Sequence, residues 1–159
     1  VTVSDLLESA KAKGVMITTA ESCTGGMVAA ALTDIPGSSA VVERGFVTYT
    51  NTAKQQMLGV RKESLDAYGA VSEQVAREMA EGALRNSQAQ LAVSVTGIAG
   101  PGGSEFKPEG RVCFGVAGDC IPPMTETVEF GALGRDRVRR AARDHALALL
   151  SKALFGTAQ

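Results

Sequence analysis

The sequence has no tryptophan, one histidine, two tyrosines and five phenylalanines, too few rings for a platform on which nucleic-acid bases could stack. Its three cysteines, Cys23, Cys113 and Cys120, are odd in number and form no CxxC pair. That argues against a disulfide framework and a zinc site, and fits a reducing, cytoplasmic compartment. Neither charge is in excess, with 16 basic and 17 acidic residues, so neither nucleic acid nor a membrane surface is an expected partner. No apolar run approaches the roughly 20 residues of a membrane-spanning helix, and no basic segment followed by an apolar run opens the chain. The first residue is Val rather than Met, which is compatible with an upstream segment having been removed.

What remains is a chain of 159 residues, 45% hydrophobic. That length suits one domain over residues 1–159, burying about two-thirds of the surface its unfolded chain exposes. Hydrophobic periodicity predicts a helix from a Ser4 cap to about Lys13, a strand over 15–19, a helix over 27–32 and a strand over 41–50. Asn51 is the expected cap of a helix carrying Lys54, Met57 and Leu58. A short helix over 62–67 follows, then one capped by Ser72 with Val75, Met79, Ala83 and Leu84 on its apolar stripe. Strands are expected over 91–95, 111–117 and 125–130, the last two joined through Gly118 and a Pro122-Pro123 turn into an antiparallel hairpin. A final helix runs from Gly134 to about Leu154, with Val138, Ala142, His145 and Leu149 on one face and Arg135, Arg139 and Arg143 along its edge. Five strands interleaved with helices imply a three-layer α/β/α sandwich on a mixed, mostly parallel five-stranded sheet.

Ligands bind such sheets beyond the carboxyl ends of the parallel strands, where Ser22, the 49–54 segment and Thr96-Gly97 converge. Around Ser22 a strand pattern breaks into small polar residues and glycines just before a helix. A hydroxyl there lies beside backbone N–H groups of a helix start, a geometry that suits a nucleophile and equally a plain helix cap. A nucleophile needs a base. The single histidine, His145, lies mid-helix on an apolar face and reads as a core residue, which argues against a Ser-His-Asp triad. Lys54, one turn into a helix, is the better candidate, because the positive helix end and partial burial both favour a neutral amine; the competing reading is a solvated surface lysine. Tyr49 could hold a proton or a ring against a planar substrate, or be an ordinary strand tyrosine. Cys23 is intrinsically more nucleophilic than serine, yet without a histidine it reads as a buried structural thiol. The 96–103 loop resembles an anion nest but lacks both the dinucleotide fingerprint and the P-loop ending, so it could also be a plain connection. Arg135 beside a helix N-terminus suits a phosphate, although an arginine ladder is usually a solvated edge.

Several blocks together resemble the CinA C-terminal domain family: Thr19-Ala20-Glu21-Ser22-Cys23-Thr24-Gly25-Gly26, Glu43 to Asn51 with Lys54, Gly69-Ala70-Val71-Ser72, Gly97-Ile98-Ala99-Gly100-Pro101 with Gly102-Gly103, and Lys107-Pro108 with Gly110. The resemblance spans nearly the whole chain. It implies deamidation of nicotinamide mononucleotide to nicotinate mononucleotide and ammonia in pyridine nucleotide salvage, on a five-stranded α/β/α fold that often forms homo-oligomers. A larger N-terminal domain with its own pyrophosphatase activity accompanies many relatives, and nothing here matches it. The family's serine and lysine fall on Ser22 and Lys54, its Tyr-x-Asn segment on Tyr49 and Asn51, its glycine loop on 97–101, and its C-terminal arginines on Arg135 and Arg139. Glu109 stands where relatives often have a small apolar residue, a departure expected to touch only a strand entry.

Both readings combine into one expectation. Ser22, deprotonated by Lys54, attacks the carboxamide carbon. Backbone N–H groups around Cys23, Thr24 and Gly25 or at Gly97 receive the oxyanion. Tyr49 and Thr96 position reacting groups, Asn51 lines the site, and Arg135 and Arg139 hold the 5′-phosphate. A small-molecule nucleotide is then the partner, with no cofactor and no metal. A non-catalytic nucleotide-binding or assembly module and an amidase of another substrate remain the alternatives.

Overall fold

The structure is a computed structural model that describes residues 2–104 and 106–155. In chain order it contains α1 (Val3–Ala12), β1 (Ile17–Glu21), α2 (Met27–Thr33), a 3-10 turn (Ser38–Ala40), β2 (Val42–Val47), α3 (Asn51–Leu58), α4 (Lys62–Tyr68), α5 (Glu73–Arg85), β3 (Leu91–Gly97), β4 (Arg111–Gly118), β5 (Ile121–Glu129) and α6 (Arg135–Phe155). The strands form one sheet in the order β2-β1-β3-β4-β5. β2, β1 and β3 are parallel neighbours, while β4 runs antiparallel to both β3 and β5. Four of the five strands therefore share one direction, giving the expected mixed, mostly parallel sheet with helices on both faces.

Strand alternation builds the two faces. Leu91, Val93 and Val95 of β3 point into the larger core with Leu6, Val28, Phe114, Val138 and Leu150, under α1, α2 and α6. Ala20 and Ala92 face the other way, against Leu58, Val75, Met79 and Ala83 of α3 and α5. The α5 side is kept small on purpose of contact: a Cβ on Gly115 would lie 2.6 Å from the Ala76 carbonyl oxygen, and one on Gly82 only 1.9 Å from that of Leu58. Glycine at these two places lets α5 lie directly on the sheet and on the end of α3. Ser94 seals the contact, its hydroxyl donating to the Ala76 carbonyl at 2.5 Å.

Several expectations need correction, among them the bounds of β1, expected over 15–19, and of β3, expected over 91–95. α1 is capped by Thr2 rather than Ser4, through a reciprocal box in which Thr2 Oγ1 accepts from Asp5 N–H and Asp5 Oδ2 accepts from Thr2 N–H. α3 is capped by Thr50, whose hydroxyl accepts from Ala53 N–H at 3.0 Å, and Asn51 is its first residue. β2 ends at Val47, because the chain must leave the sheet before that cap. Pro122 and Pro123 lie inside β5, not in the turn; β5 has a neighbour on one side only, where a missing N–H is tolerated, and the reversal falls at Asp119-Cys120.

Candidate active site

β1 delivers Ser22. Ser22 N–H donates to the Val95 carbonyl at 2.9 Å, continuing the β1–β3 pairing one residue past the strand, and the Ser22 carbonyl accepts Gly25 N–H at 3.0 Å to close a tight turn. Gly25 and Gly26 take positive φ values of 57° and 107°, a conformation that favours glycine, and α2 starts at Met27. The sequence suggested that the N–H groups at the start of α2 serve Ser22, and they do not. They are taken by Glu21, a 1% exposed carboxylate that accepts from Gly26, Val28 and Ala29 N–H at 3.2, 2.9 and 3.0 Å and from the Thr24 hydroxyl at 2.6 Å. Sequence reasoning assigned Glu21 no role, although an acid directly ahead of a glycine turn into a helix was the available signal.

α3 delivers the partner. Lys54 is 1% exposed, not a solvated surface lysine. Its Nζ donates to Ser22 Oγ at 3.1 Å, to the Thr48 carbonyl at 3.1 Å and to the Tyr49 carbonyl at 3.4 Å. Those carbonyls belong to the segment leaving β2, so the end of one strand orients the amine toward the end of its neighbour. An amine at this distance can return or take the serine proton. Cys23 is buried beside the pair, and burial pushes its thiol up from 9.0 to about 12; its own N–H is the main opposing effect, the Glu21 charge adds a smaller rise, and Arg139 and Lys54 oppose it more weakly still. It is a protonated thiol at neutral pH.

A cavity of about 370 Å³ opens over Ser22 and Lys54, and Cys23, Tyr49, Asn51, Thr96, Gly97 and Arg135 all line it, together with the 98–104 loop. Thr96 directs its hydroxyl to the Ala70 carbonyl at 2.9 Å. At the far side Arg135 donates from Nη1 to the Gly100 carbonyl and from Nη2 to the Tyr49 hydroxyl, both at 2.6 Å. Tyr49 thus touches both ends of the site, through its carbonyl at Lys54 and its hydroxyl at Arg135.

The remaining site residues stand behind the turn. Thr24 is fully buried against Glu21, and Gly25 spends its N–H on Ser22. Arg139 donates from Nε to the Cys23 carbonyl at 3.0 Å and from Nη2 to the Thr24 carbonyl at 3.3 Å, clamping α6 to the turn; it does not line the cavity. Arg143 leaves the site, pairing with Asp144. His145 is half-buried, its ring 4.6 Å from that of Phe114 and its Nε2 at 2.7 Å from Glu126, outside the cavity. Glu109 reaches past the strand entry: Oε1 accepts Gly102 N–H at 2.7 Å and Oε2 accepts Gly134 N–H at 2.9 Å. Among the described residues no group of three or more His, Cys, Asp or Glu side chains could hold a metal ion, and no helix is long and apolar enough to cross a membrane.

The family model described as "CinA C-terminal domain" matches residues 2–154. A relative named "Nicotinamide-nucleotide amidohydrolase PncC" from Escherichia coli is 56% identical over 144 residues, covering 90% of this chain and 87% of its own length. A "CinA-like protein" from Chlorobium phaeobacteroides is 52% identical over 149 residues, and there the match spans 89% of this chain but only 35% of the longer relative. Among solved structures, that of "competence/damage inducible protein CihA" from Agrobacterium tumefaciens superposes with a TM-score of 0.92 at 50% identity, covering 96% of this chain and 92% of that one.

Proposed function

The chain belongs to the CinA C-terminal domain family, and on that premise we propose that it is a nicotinamide-nucleotide amidohydrolase, converting nicotinamide mononucleotide and water to nicotinate mononucleotide and ammonia in pyridine nucleotide salvage. The observation that carries the mechanism is the buried contact of 3.1 Å between Ser22 Oγ and Lys54 Nζ beneath a cavity open to a small molecule. The activity itself is supported by the relative of that name, 56% identical over most of both chains.

Lys54 in its amine form takes the hydroxyl proton as Ser22 Oγ bonds to the carboxamide carbon. The carbonyl electrons move onto oxygen, which accepts from backbone N–H groups of Cys23 and Gly97, two residues of the cavity wall. Collapse breaks the C–N bond, and the Lys54 ammonium gives its proton to the leaving nitrogen, releasing ammonia. Water then attacks the acyl-serine while Lys54 takes its proton, and collapse frees nicotinate mononucleotide as the proton returns to Ser22. Tyr49, Asn51 and Thr96 line the space for the ring and ribose, and Arg135 takes the 5′-phosphate with its forked donors. Arg139 acts through the turn it clamps rather than on substrate.

The proposal takes residues 1–159 as a single domain and includes a cytoplasmic location, in keeping with three free cysteines, and a homo-oligomer. Exposed Tyr68, Phe106 and Leu133 are apolar surface available to such an assembly, which light scattering would reveal. The deciding experiment for function is ammonia release from nicotinamide mononucleotide by the purified chain, with free nicotinamide and a simple amide as comparisons. Turnover that favours the nucleotide supports the reading. Binding without ammonia release would make the chain a nucleotide-binding module, and equal turnover of the simple amide would make it a general amidase.

A further inference from the structure

We propose that Glu109 is a positioning residue for the phosphate end of the cavity: its carboxylate ties the 98–104 loop to the start of α6 and thereby sets the place of Arg135. The inference rests on the assignment of Arg135 to phosphate made above. Glu109 is half-buried, and its two oxygens bond N–H groups 32 residues apart in the chain, Gly102 at 2.7 Å and Gly134 at 2.9 Å. Gly134 directly precedes Arg135, and Gly102 lies two residues after Gly100, whose carbonyl receives Arg135 Nη1 at 2.6 Å. A single carboxylate therefore fixes both the root of the Arg135 side chain and the loop that its guanidinium grips.

The packing is close enough to leave little play. Gly100 has φ 94°, and a Cβ there would stand 2.6 Å from Glu109 Cδ. On its other side the loop is held by Lys107, whose Nζ donates to the Tyr68 and Val71 carbonyls at 2.7 and 2.6 Å. Occupation of Gly102 and Gly134 N–H by a side chain also removes them as donors for an external anion. Phosphate recognition is left to the guanidinium whose position they secure.

Glu109→Gln keeps the size of the side chain but offers one oxygen for two N–H donors, so one of the two ties is lost. The expected result is a KM for nicotinamide mononucleotide raised roughly tenfold with kcat within about twofold, partly restored by Glu109→Asp. In a double-mutant cycle the same change made in an Arg135→Ala background should add nothing further to KM, because Glu109 acts through Arg135. Additive effects, or a fall in kcat at unchanged KM, would overturn the proposal. Two measurements stand apart from turnover. Calorimetry should show nicotinate mononucleotide binding weakened about tenfold by Glu109→Gln, and hydrogen exchange of the unmodified protein should show Gly102 and Gly134 amides protected. Fast exchange at either amide would overturn the tether even if the chain released no ammonia, an outcome that would sink the proposed function separately.

Discussion

The carboxylate of Glu21 accepts the N–H of Val28 at 2.9 Å, so the residue immediately before Ser22 caps the helix that follows it. The cap is buried, and three backbone donors and one hydroxyl of the turn depend on it. Glu21→Gln replaces one acceptor oxygen by a donor facing N–H groups. The expected cost is about 3 kcal/mol of folding stability, measured by urea denaturation, together with a loss of turnover. A variant as stable as the parent would mean that the turn is held by its glycines alone.

Ser22→Ala and Lys54→Met should each lower ammonia release by roughly a thousandfold or more while the chain stays folded. Met is chosen because it fills the buried space of the lysine stem without an amine. In the unmodified enzyme, hydroxylamine should intercept the acyl-serine and yield the hydroxamate of nicotinate mononucleotide, detectable by mass spectrometry. Near-normal turnover by Ser22→Ala would remove the serine mechanism.

Cys23 and Cys113 are buried, and burial raises both thiols, Cys23 to about 12; Cys120 is exposed. Iodoacetamide at pH 7.5 should therefore label Cys120 and spare the other two, as peptide mass spectrometry can count; pH 7.5 is about the choice that keeps ordinary thiols partly reactive. The raised thiol has a second consequence. In the unfolded chain Cys23 ionises near 9.0, whereas in the folded chain it holds its proton to about 12. The folded state then binds more protons, so its stability should fall as pH rises through that window and be unaffected by this group below it. Rapid alkylation of Cys23 at neutral pH would contradict the buried environment.

Arg135 and Arg139 sit one helical turn apart and should fail differently. Arg135→Ala should raise KM for the mononucleotide about tenfold and leave stability nearly unchanged. Arg139→Ala removes the clamp on the Cys23 and Thr24 carbonyls, so its effect should fall on kcat and on the melting midpoint, with a stability loss of about 1–3 kcal/mol. Identical kinetic signatures for the two would refute this division.

The frame of the protein could be read from its residues because alternation and helical spacing are local. β3 and the apolar stripe of α5 came directly from such patterns, and so did the meeting of Ser22, Tyr49, Lys54, Thr96 and Gly97 beyond the strand ends. Caps shifted by one or two residues, as at Thr2 and Thr50, because several polar residues in each stretch could cap and only the backbone path chooses among them. The prolines of β5 misled because a turn and a one-sided edge strand tolerate the same missing donor. Glu21, Glu109 and Arg139 were not legible in their roles. Each acts on backbone groups brought near by the turn or by the fold, and no spacing rule reports which carbonyl or N–H a side chain will meet.

Tyr49 meets Lys54 through its carbonyl and Arg135 through its hydroxyl. The length of one tyrosine therefore spaces the Lys54 amine from the Arg135 guanidinium, and neither end of the cavity can drift without pulling on the other. Under the proposed chemistry this rigid spacer acts as a ruler. It would favour molecules whose amide and anionic group are separated by a fixed reach, and an amide lacking the distal anion would leave half of the gauge unread.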